Sequence, residues 1–171
     1  MYKVVFLMLI VSLNLMGQET AESMTQYKSV NGYIIEAPES WEVDEGIFGT
    51  DVILLAPSDS PNDAFRENMN VMIVPLDVAI TRKEFYETSV KGLNQALTNF
   101  SLQESKDLTI GGVPALQIVF SHQVGDVKAI VEQYLVMRGN AAFIFTFTAA
   151  PDSYDKYLPV FNRIVKSIKF Y

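Results

Sequence analysis

The residues with the greatest chemical potential form an acidic run near the start of the chain. Its carboxylates belong to Glu39, Glu42, Asp44, Glu45 and Asp51. A hard cation such as calcium needs several oxygen ligands, but the run lacks the spacing of a calcium-binding loop. A solvated acidic face is the simplest interpretation. Among functional interpretations, docking to a basic partner ranks above metal binding, and we predict no metal site.

Trp41 is the only tryptophan of the chain, and it lies inside this acidic run. An exposed tryptophan could serve as a ligand platform or as the anchor of an interface. A lone tryptophan after a strand end is more often a plug in the core. Because both interpretations stay open, the predicted binding surface includes it and consists of Glu39, Trp41, Glu42, Asp44, Glu45 and Asp51.

His122 is the only histidine, and the chain contains no cysteine, which excludes thiolate catalysis and cysteine-ligated metals. Motifs for a serine nucleophile, a phosphate-binding loop or a zinc protease are also absent from the sequence. His122 is in phase with Leu116, Ile118 and Phe120 near a strand end, which favours a partly buried or rim histidine with a hydrogen-bonded ring. A hydrolase that uses His122 is the least favoured function. We predict that the protein is not an enzyme and has no cofactor.

The first seventeen residues have the order of a cleavable signal peptide. Lys3 provides a positive start, residues 4–11 are apolar, and Gly17 is a small residue before a polar stretch. We predict cleavage after Gly17, with an uncleaved anchor as the alternative. A lipoprotein is excluded because that route needs a cysteine. The sequence thus predicts an exported protein, periplasmic or extracellular, with no membrane span after cleavage.

The charge of the chain limits its partners. Asp and Glu number 20 against 13 Lys and Arg, so the formal net charge is −7. Phosphate neutralisation dominates the affinity of proteins for nucleic acids, and an acidic chain cannot supply it. We therefore predict no nucleic-acid partner, and anionic membrane surfaces are disfavoured for the same reason.

Beyond the signal, residues 18–26 are predicted to be a flexible lead-in and residues 27–171 a single domain. Alternating apolar and polar residues separated by short glycine turns predict antiparallel strands. Asn31-Gly32 is a strong signal for a two-residue hairpin turn. The predicted strands cover residues 27–30, 33–36, 51–56, 70–76, 102–110, 113–123, 127–138 and 141–150.

Two helices complete the prediction. The first covers residues 81–100 and begins with the capping box Thr81-x-x-Glu84, while Gly92 weakens its middle or marks a close approach to the sheet. The second follows Ser153, and its apolar residues recur at helical spacing. We expect that stripe to pack on the face of the last long strand that carries Phe143, Phe145 and Phe147. Strands, helix, strands and helix in this order predict an α+β fold.

Several segments together resemble the PsbP-like family. The most recognisable is NGYIIEAPESWEV, with its strand, proline and tryptophan; the turn GGVPA and the closing FNRIVKSIKF follow. The resemblance covers nearly all of residues 27–171. It implies a three-layer α-β-α sandwich around a mainly antiparallel sheet and a non-enzymatic role in binding or assembly. It carries no functional residue over to this chain.

Two functional hypotheses therefore follow from the sequence. The first is an accessory module that docks on another envelope protein through the acidic face. The second is a carrier of a small apolar molecule or lipid, with an apolar pocket between the sheet and a helix. The second hypothesis depends on the high apolar content, 49% of residues.

Overall fold

The computed structural model describes residues 22–61, 63, 65–76 and 80–171. The predicted signal peptide, residues 1–17, lies outside these residues. The described chain folds into ten strands and two helices, which confirms the predicted α+β class. The elements are β1 (Met24–Ser29), β2 (Tyr33–Pro38), β3 (Glu42–Glu45), β4 (Val52–Leu55), β5 (Asn68–Pro75), α1 (Arg82–Ala96), β6 (Thr98–Ile110), β7 (Val113–Val124), β8 (Val127–Arg138), β9 (Ala141–Ala149), α2 (Tyr154–Ser167) and β10 (Lys169–Phe170).

The strands form two antiparallel sheets. The main sheet has seven strands in the order β3-β4-β5-β9-β8-β7-β6, and the small sheet has the order β1-β2-β10. The short turns predicted between the long strands β6 to β9 are confirmed. Their glycines, Gly111, Gly125 and Gly139, all adopt positive φ, which glycine reaches without strain. The small sheet and α2 cover one face of the main sheet, and α1 covers part of the other. The predicted three-layer arrangement is confirmed.

The main core lies between the main sheet and α2. Phe145, Phe147 and Phe161 are completely buried there. The ring centroids of Phe147 and Phe161 are 4.8 Å apart, and Tyr33 of the small sheet meets Phe145 edge-on at 5.7 Å. The predicted packing of the last helix on the phenylalanine face is therefore confirmed.

A smaller core lies on the opposite face, under α1. Its buried members are Ile118, Phe120 and Val131, and the helix adds side chains that are only partly buried. None of the α1 residues is itself fully buried. Tyr86, Val90 and Leu93 of the helix make this contact.

The prediction for the first helix was wrong at its end. The helix stops at Ala96, not at residue 100, because Leu97 takes extended backbone angles and Asn99 has φ of 54°. Residues 98–100 belong to β6, whose pairing with β7 is irregular at this point. The expected close approach of Gly92 to the sheet was also wrong, since a Cβ there would meet nothing within 4 Å.

The first strand begins at Met24, three residues before its predicted start, since residues 24–26 pair with the end of β2. Neither β3 nor β10 is predicted by the sequence pattern. All four residues of β3 are exposed, so the segment lacks the apolar alternation by which strands are recognised. Only two residues form β10.

Candidate functional site

The acidic run lies at an edge of the main sheet. Its central part forms β3, which pairs with β4 on one side only, and Glu42, Asp44 and Glu45 are all exposed. Glu39 precedes the strand and is exposed as well. We define these four residues as the acidic edge. Side chains alternate along a strand, so Glu42 and Asp44 share one face of the sheet and Glu45 points to the other, and all three reach solvent at this edge.

Few contacts hold these carboxylates in place. A 2.6 Å ion pair joins Glu42 to Arg66, whose Nε also donates to the carbonyl oxygen of Ala56 at 2.8 Å. Glu39 accepts a hydrogen bond of 2.7 Å from the hydroxyl of Ser23. Exposed contacts of this kind contribute little stability, so the carboxylates stay available to another molecule.

Trp41 does not share the exposure of its neighbours. Only 6% of the residue is accessible, and its ring lies edge-on to Tyr157 at 6.1 Å and to Phe161 at 6.3 Å. The structure thus places Trp41 as a core plug between β3 and α2. The binding surface that remains consists of carboxylates.

Asp51 also has a structural position, as the link between the two sheets. Its Oδ2 accepts hydrogen bonds from the hydroxyls of Ser29 at 2.7 Å and Tyr33 at 2.6 Å, and its Oδ1 accepts from the amide of Asn31. Burial raises the pKa of Tyr33, and the hydrogen bond to the Asp51 carboxylate raises it further. One carboxylate therefore fixes the β1–β2 hairpin to the start of β4.

A second contact joins the hairpin to the acidic edge. The hydroxyl of Tyr27 lies close to the carboxylate of Glu45. Burial, followed by the charges of Asp51 and Glu45, raises the pKa of Tyr27 to about 12. The acidic edge and the hairpin thus form one continuous surface.

Another group of carboxylates surrounds a cleft of about 410 Å³ at the beginning of α2. Asp59 contacts the Lys156 ammonium at 2.7 Å through both oxygens, and this hydrogen bond raises the pKa of the lysine. Backbone N–H groups of Asp59 and Phe65 bond to Asp63 and lower its pKa. These contacts hold the loop against the helix. Within the described residues, no three His, Asp or Glu side chains are grouped to hold a metal ion.

No pattern in the sequence indicated the buried polar network beside α2. Glu132 is 5% exposed and accepts hydrogen bonds from the hydroxyls of Tyr134, at 2.8 Å, and Tyr154. The amide of Gln117 donates to the Tyr134 oxygen at 3.0 Å. Burial is the main reason that the pKa values of both tyrosines are raised. Alternation predicted buried positions along β7 and β8, but it cannot show that their polar residues meet.

His122 lies on the face covered by α1, with its ring centroid 6.0 Å from that of Phe120. Its Nδ1 is buried and has no hydrogen-bond partner among the described residues. The predicted satisfied ring was therefore wrong at this nitrogen. In a catalytic triad, a carboxylate accepts a hydrogen bond from this nitrogen of the histidine and orients the ring. The observed geometry of His122 therefore gives no support to a hydrolase that uses it.

Clefts between the sheet and the helices have mixed linings. One of about 430 Å³ lies beside α1 and is lined by Arg82, Lys83 and Asp107 together with Tyr86 and Leu116. Another of about 380 Å³ lies beside α2 and has lysines and Gln117 in its wall. Such linings suit a polar ligand better than a lipid chain. In the part of the chain that the structure describes, neither helix is long and apolar enough to cross a membrane.

Comparison with known sequences identifies a family. The family model described as DcrB matches residues 35–167, which include all of the acidic edge and both helices. No curated protein matches this chain significantly.

Solved structures with the same fold include the three that follow. Cyanobacterial PsbP from Synechocystis is 18% identical with a TM-score of 0.64, over 93% of this chain and 99% of that one. LpqN of Mycobacterium tuberculosis, described as involved in cell envelope biogenesis, is 17% identical with a TM-score of 0.59, over 86% and 90%. The Ran-binding protein Mog1p of Saccharomyces cerevisiae is 7% identical with a TM-score of 0.60, over 88% and 96%. The predicted PsbP-like resemblance is confirmed at the level of the fold.

Proposed function

Because the chain belongs to the DcrB family and has an exposed acidic strand at the edge of its main sheet, we propose that it is an exported accessory module of the cell envelope. It is not an enzyme, and it acts by docking on a protein partner. The acidic edge, Glu39, Glu42, Asp44 and Glu45, is the docking surface, and the partner presents lysine and arginine side chains to it.

The observation that carries this proposal is the exposure of β3. Three of its four residues are carboxylates, each is accessible, and Arg66 is the one cation that bonds to them among the described residues. Uncompensated charge of one sign attracts a surface of the opposite sign and speeds association with it. Such an interface weakens as salt increases, because ions screen exposed charges.

Structural neighbours support the same class of function. LpqN is described as involved in cell envelope biogenesis, and Mog1p is described as binding Ran, which is a protein. The signal peptide predicted for residues 1–17 would bring this chain to the envelope. Together these observations favour an envelope protein that binds another protein.

The acidic residues also have a simpler explanation. Charged side chains on an edge strand discourage the edge from pairing with other strands. In that case their sign would not matter, because lysine protects an edge as well as glutamate does. Reversal of the charges therefore separates the two explanations.

The test is a variant in which Glu42, Asp44 and Glu45 are all replaced by lysine. We expect it to stay folded and to keep the oligomeric state of the natural chain, but to lose the partner complex. A matched control replaces Glu87, Glu104 and Asp126 by lysine, which changes the net charge equally away from β3. Unchanged affinity of the first variant, or equal losses in both, would exclude the acidic edge as the docking surface.

The complex itself is best detected by native mass spectrometry of the protein isolated from its own envelope after mild crosslinking. An added mass of several kilodaltons identifies a protein partner, and digestion then names it. A small, discrete added mass would instead favour the alternative function, a small-molecule or lipid carrier. If the protein shows only its own mass under conditions that preserve known envelope complexes, the result would count against both the docking module and the carrier.

A further inference from the structure

We infer that Phe48 is the apolar anchor of the docking surface, held by a turn beside the acidic edge. This inference rests on the proposed function and specifies the chemistry of the partner. The partner is a folded protein with an apolar pocket that accepts an aromatic ring and is bordered by lysine or arginine side chains.

Exposed apolar side chains gather at one end of the molecule. Phe48 is 91% exposed and Val30 is 95% exposed, and Tyr171, at 53%, bonds to the backbone of Ser29 and Gly32 beside Val30. Together they are half of the large exposed apolar residues in the described chain, whose other members are Val43, Met72 and Leu102. Soluble proteins seldom gather such residues without an interaction to use them.

Asp51 brings the two most exposed residues together. Val30 lies between Ser29 and Asn31, and both of these donate to the Asp51 carboxylate. Phe48 precedes Asp51 by three residues, so their Cα atoms are at most about 11 Å apart. Both apolar tips therefore lie near one fixed carboxylate.

The turn holds Phe48 outward. Gly46 N–H donates to the carbonyl of Asp51 at 3.2 Å, and the backbone and hydroxyl of Thr50 both donate to the carbonyl of Ile47. Phe48 itself has φ of 51°, a conformation that favours glycine or asparagine. The chain thus keeps a large aromatic ring in solvent at a position where a small polar residue would be easier to accommodate.

The carboxylates beside Phe48 determine which class of partner can bind its ring. The turn follows Glu45 directly, so the ring lies at the end of the acidic edge. An anionic lipid surface would be repelled by these carboxylates, and a second copy would bring the same negative charge. A partner with a basic border matches both the ring and its surroundings, in the arrangement of a central anchor and polar rim that interfaces commonly show.

The test places a photo-crosslinking phenylalanine analogue at position 48 of the full chain, in its own cells. The control has the same analogue at position 102, an exposed leucine in β6 at the far edge of the main sheet. We expect one protein adduct from position 48 and none from position 102. An adduct to a second copy, an adduct to lipid, or no protein adduct at 48 would overturn the inference.

The protein that is captured is then purified and its affinity measured. We expect Phe48→Ser to weaken binding at least tenfold without changing its salt dependence, Phe48→Trp to retain it, and Leu102→Ser to leave it unchanged. Phe48→Asn suits the turn and must weaken binding as well, which removes misfolding as an explanation. Equal affinity of Phe48→Asn and the natural chain would overturn the inference.

The two proposals fail in distinguishable ways. If the Glu42, Asp44 and Glu45 reversal abolishes a complex that Phe48→Asn leaves intact, the acidic edge stands and the anchor does not. If the reversal leaves the complex intact, the proposed docking surface fails, and this inference fails with it.

Discussion

The two helices lie on opposite faces of the same sheet, yet they relate to it very differently. Helix α2 buries Tyr157, Phe161 and Ile164 against the aromatic core. Helix α1 buries no residue completely and rests on three buried side chains of the sheet. Its start is fixed by the capping box that the sequence predicted, since the Thr81 hydroxyl accepts from Glu84 N–H while the Glu84 carboxylate accepts from Thr81 N–H.

This difference shows that the two faces are stabilised by different means. Tertiary packing stabilises α2, even though Pro159 lies inside it and Ser153 provides no side-chain cap. Helix α1 depends more on its own capping and composition, because burial contributes less. Variants in the two helices should therefore differ in both size and kind of effect.

The largest effect is expected where α2 meets the sheet. Phe161→Ala should lower the free energy of unfolding by about 3–5 kcal/mol, because it removes a completely buried ring. Leu93→Ala, at the matching contact of α1, should lower it by about 1–2 kcal/mol. Urea denaturation of both variants measures the difference. Equal losses would show that the two faces contribute alike.

Alkaline pH should also affect the α2 face. The pKa values of Tyr134 and Tyr154 are raised in the folded protein, chiefly by burial and by their bonds to Glu132. Their contribution to stability is complete below the ordinary tyrosine pKa of about 10 and is lost as the pH rises toward the folded values. The free energy of unfolding should therefore fall above pH 10.

Urea denaturation between pH 9 and about 11 tests this expectation. Tyr154→Phe should be less stable than the natural chain at neutral pH, but its stability should fall less steeply with rising pH. Leu93→Ala serves as the control and should keep the natural slope. A natural slope in Tyr154→Phe would contradict the role assigned to this tyrosine.

Removal of the α1 cap should have a smaller effect. Thr81→Ala should lower the free energy of unfolding by about 1 kcal/mol, whereas Thr81→Ser should retain most of it. Hydrogen bonds from Thr81 lower the pKa of Glu84 in the folded protein, so this contribution is present above the ordinary glutamate pKa and lost as the pH falls below it. An NMR titration should show the Glu84 pKa rising toward its ordinary value in Thr81→Ala. An unchanged pKa would mean that the cap does not form.

The smallest effect is a gain in stability. Gly92→Ala should raise the free energy of unfolding by about 0.5–1 kcal/mol, because alanine is the better helix former and its Cβ meets nothing within 4 Å. Gly111→Ala is the contrasting control. Its φ is +55° and its Cβ would lie 3.0 Å from the Ile168 carbonyl, so it should lose stability. Thermal unfolding of both variants shows whether each substitution raises or lowers the stability.

The same contrast explains which parts of the fold the sequence could predict. Phe143, Phe145 and Phe147 alternate along a strand, and the residues that meet them recur at helical spacing. Such periodic signals predicted the α2 face correctly. The end of α1 had no such signal, since Leu97 and Phe100 continue the helical spacing although Leu97 ends the helix and Phe100 lies in β6.

The candidate site was predictable only in part. Composition identified the acidic run, and Trp41 lies in the core as a lone tryptophan after a strand end most often does, but no pattern showed that Asp51 is occupied by donors from the β1–β2 hairpin. Those donors are about twenty residues away along the chain, and no local pattern reveals such a contact. Phe48 lies between Gly46 and Gly49, in a loop whose sequence has no apolar period. Only the folded chain shows that its ring is exposed.

The small sheet has a consequence for the order in which the chain can fold. Its middle strand β2 pairs with β10, and Ile34 and Lys169 are partners although 135 positions (169 − 34) separate them. A nascent chain that emerges from its N-terminus makes β2 long before β10. One side of β2 therefore stays unpaired until residues 169–170 have been made, and of the two sheets the small one, which carries the Val30 turn, is completed last.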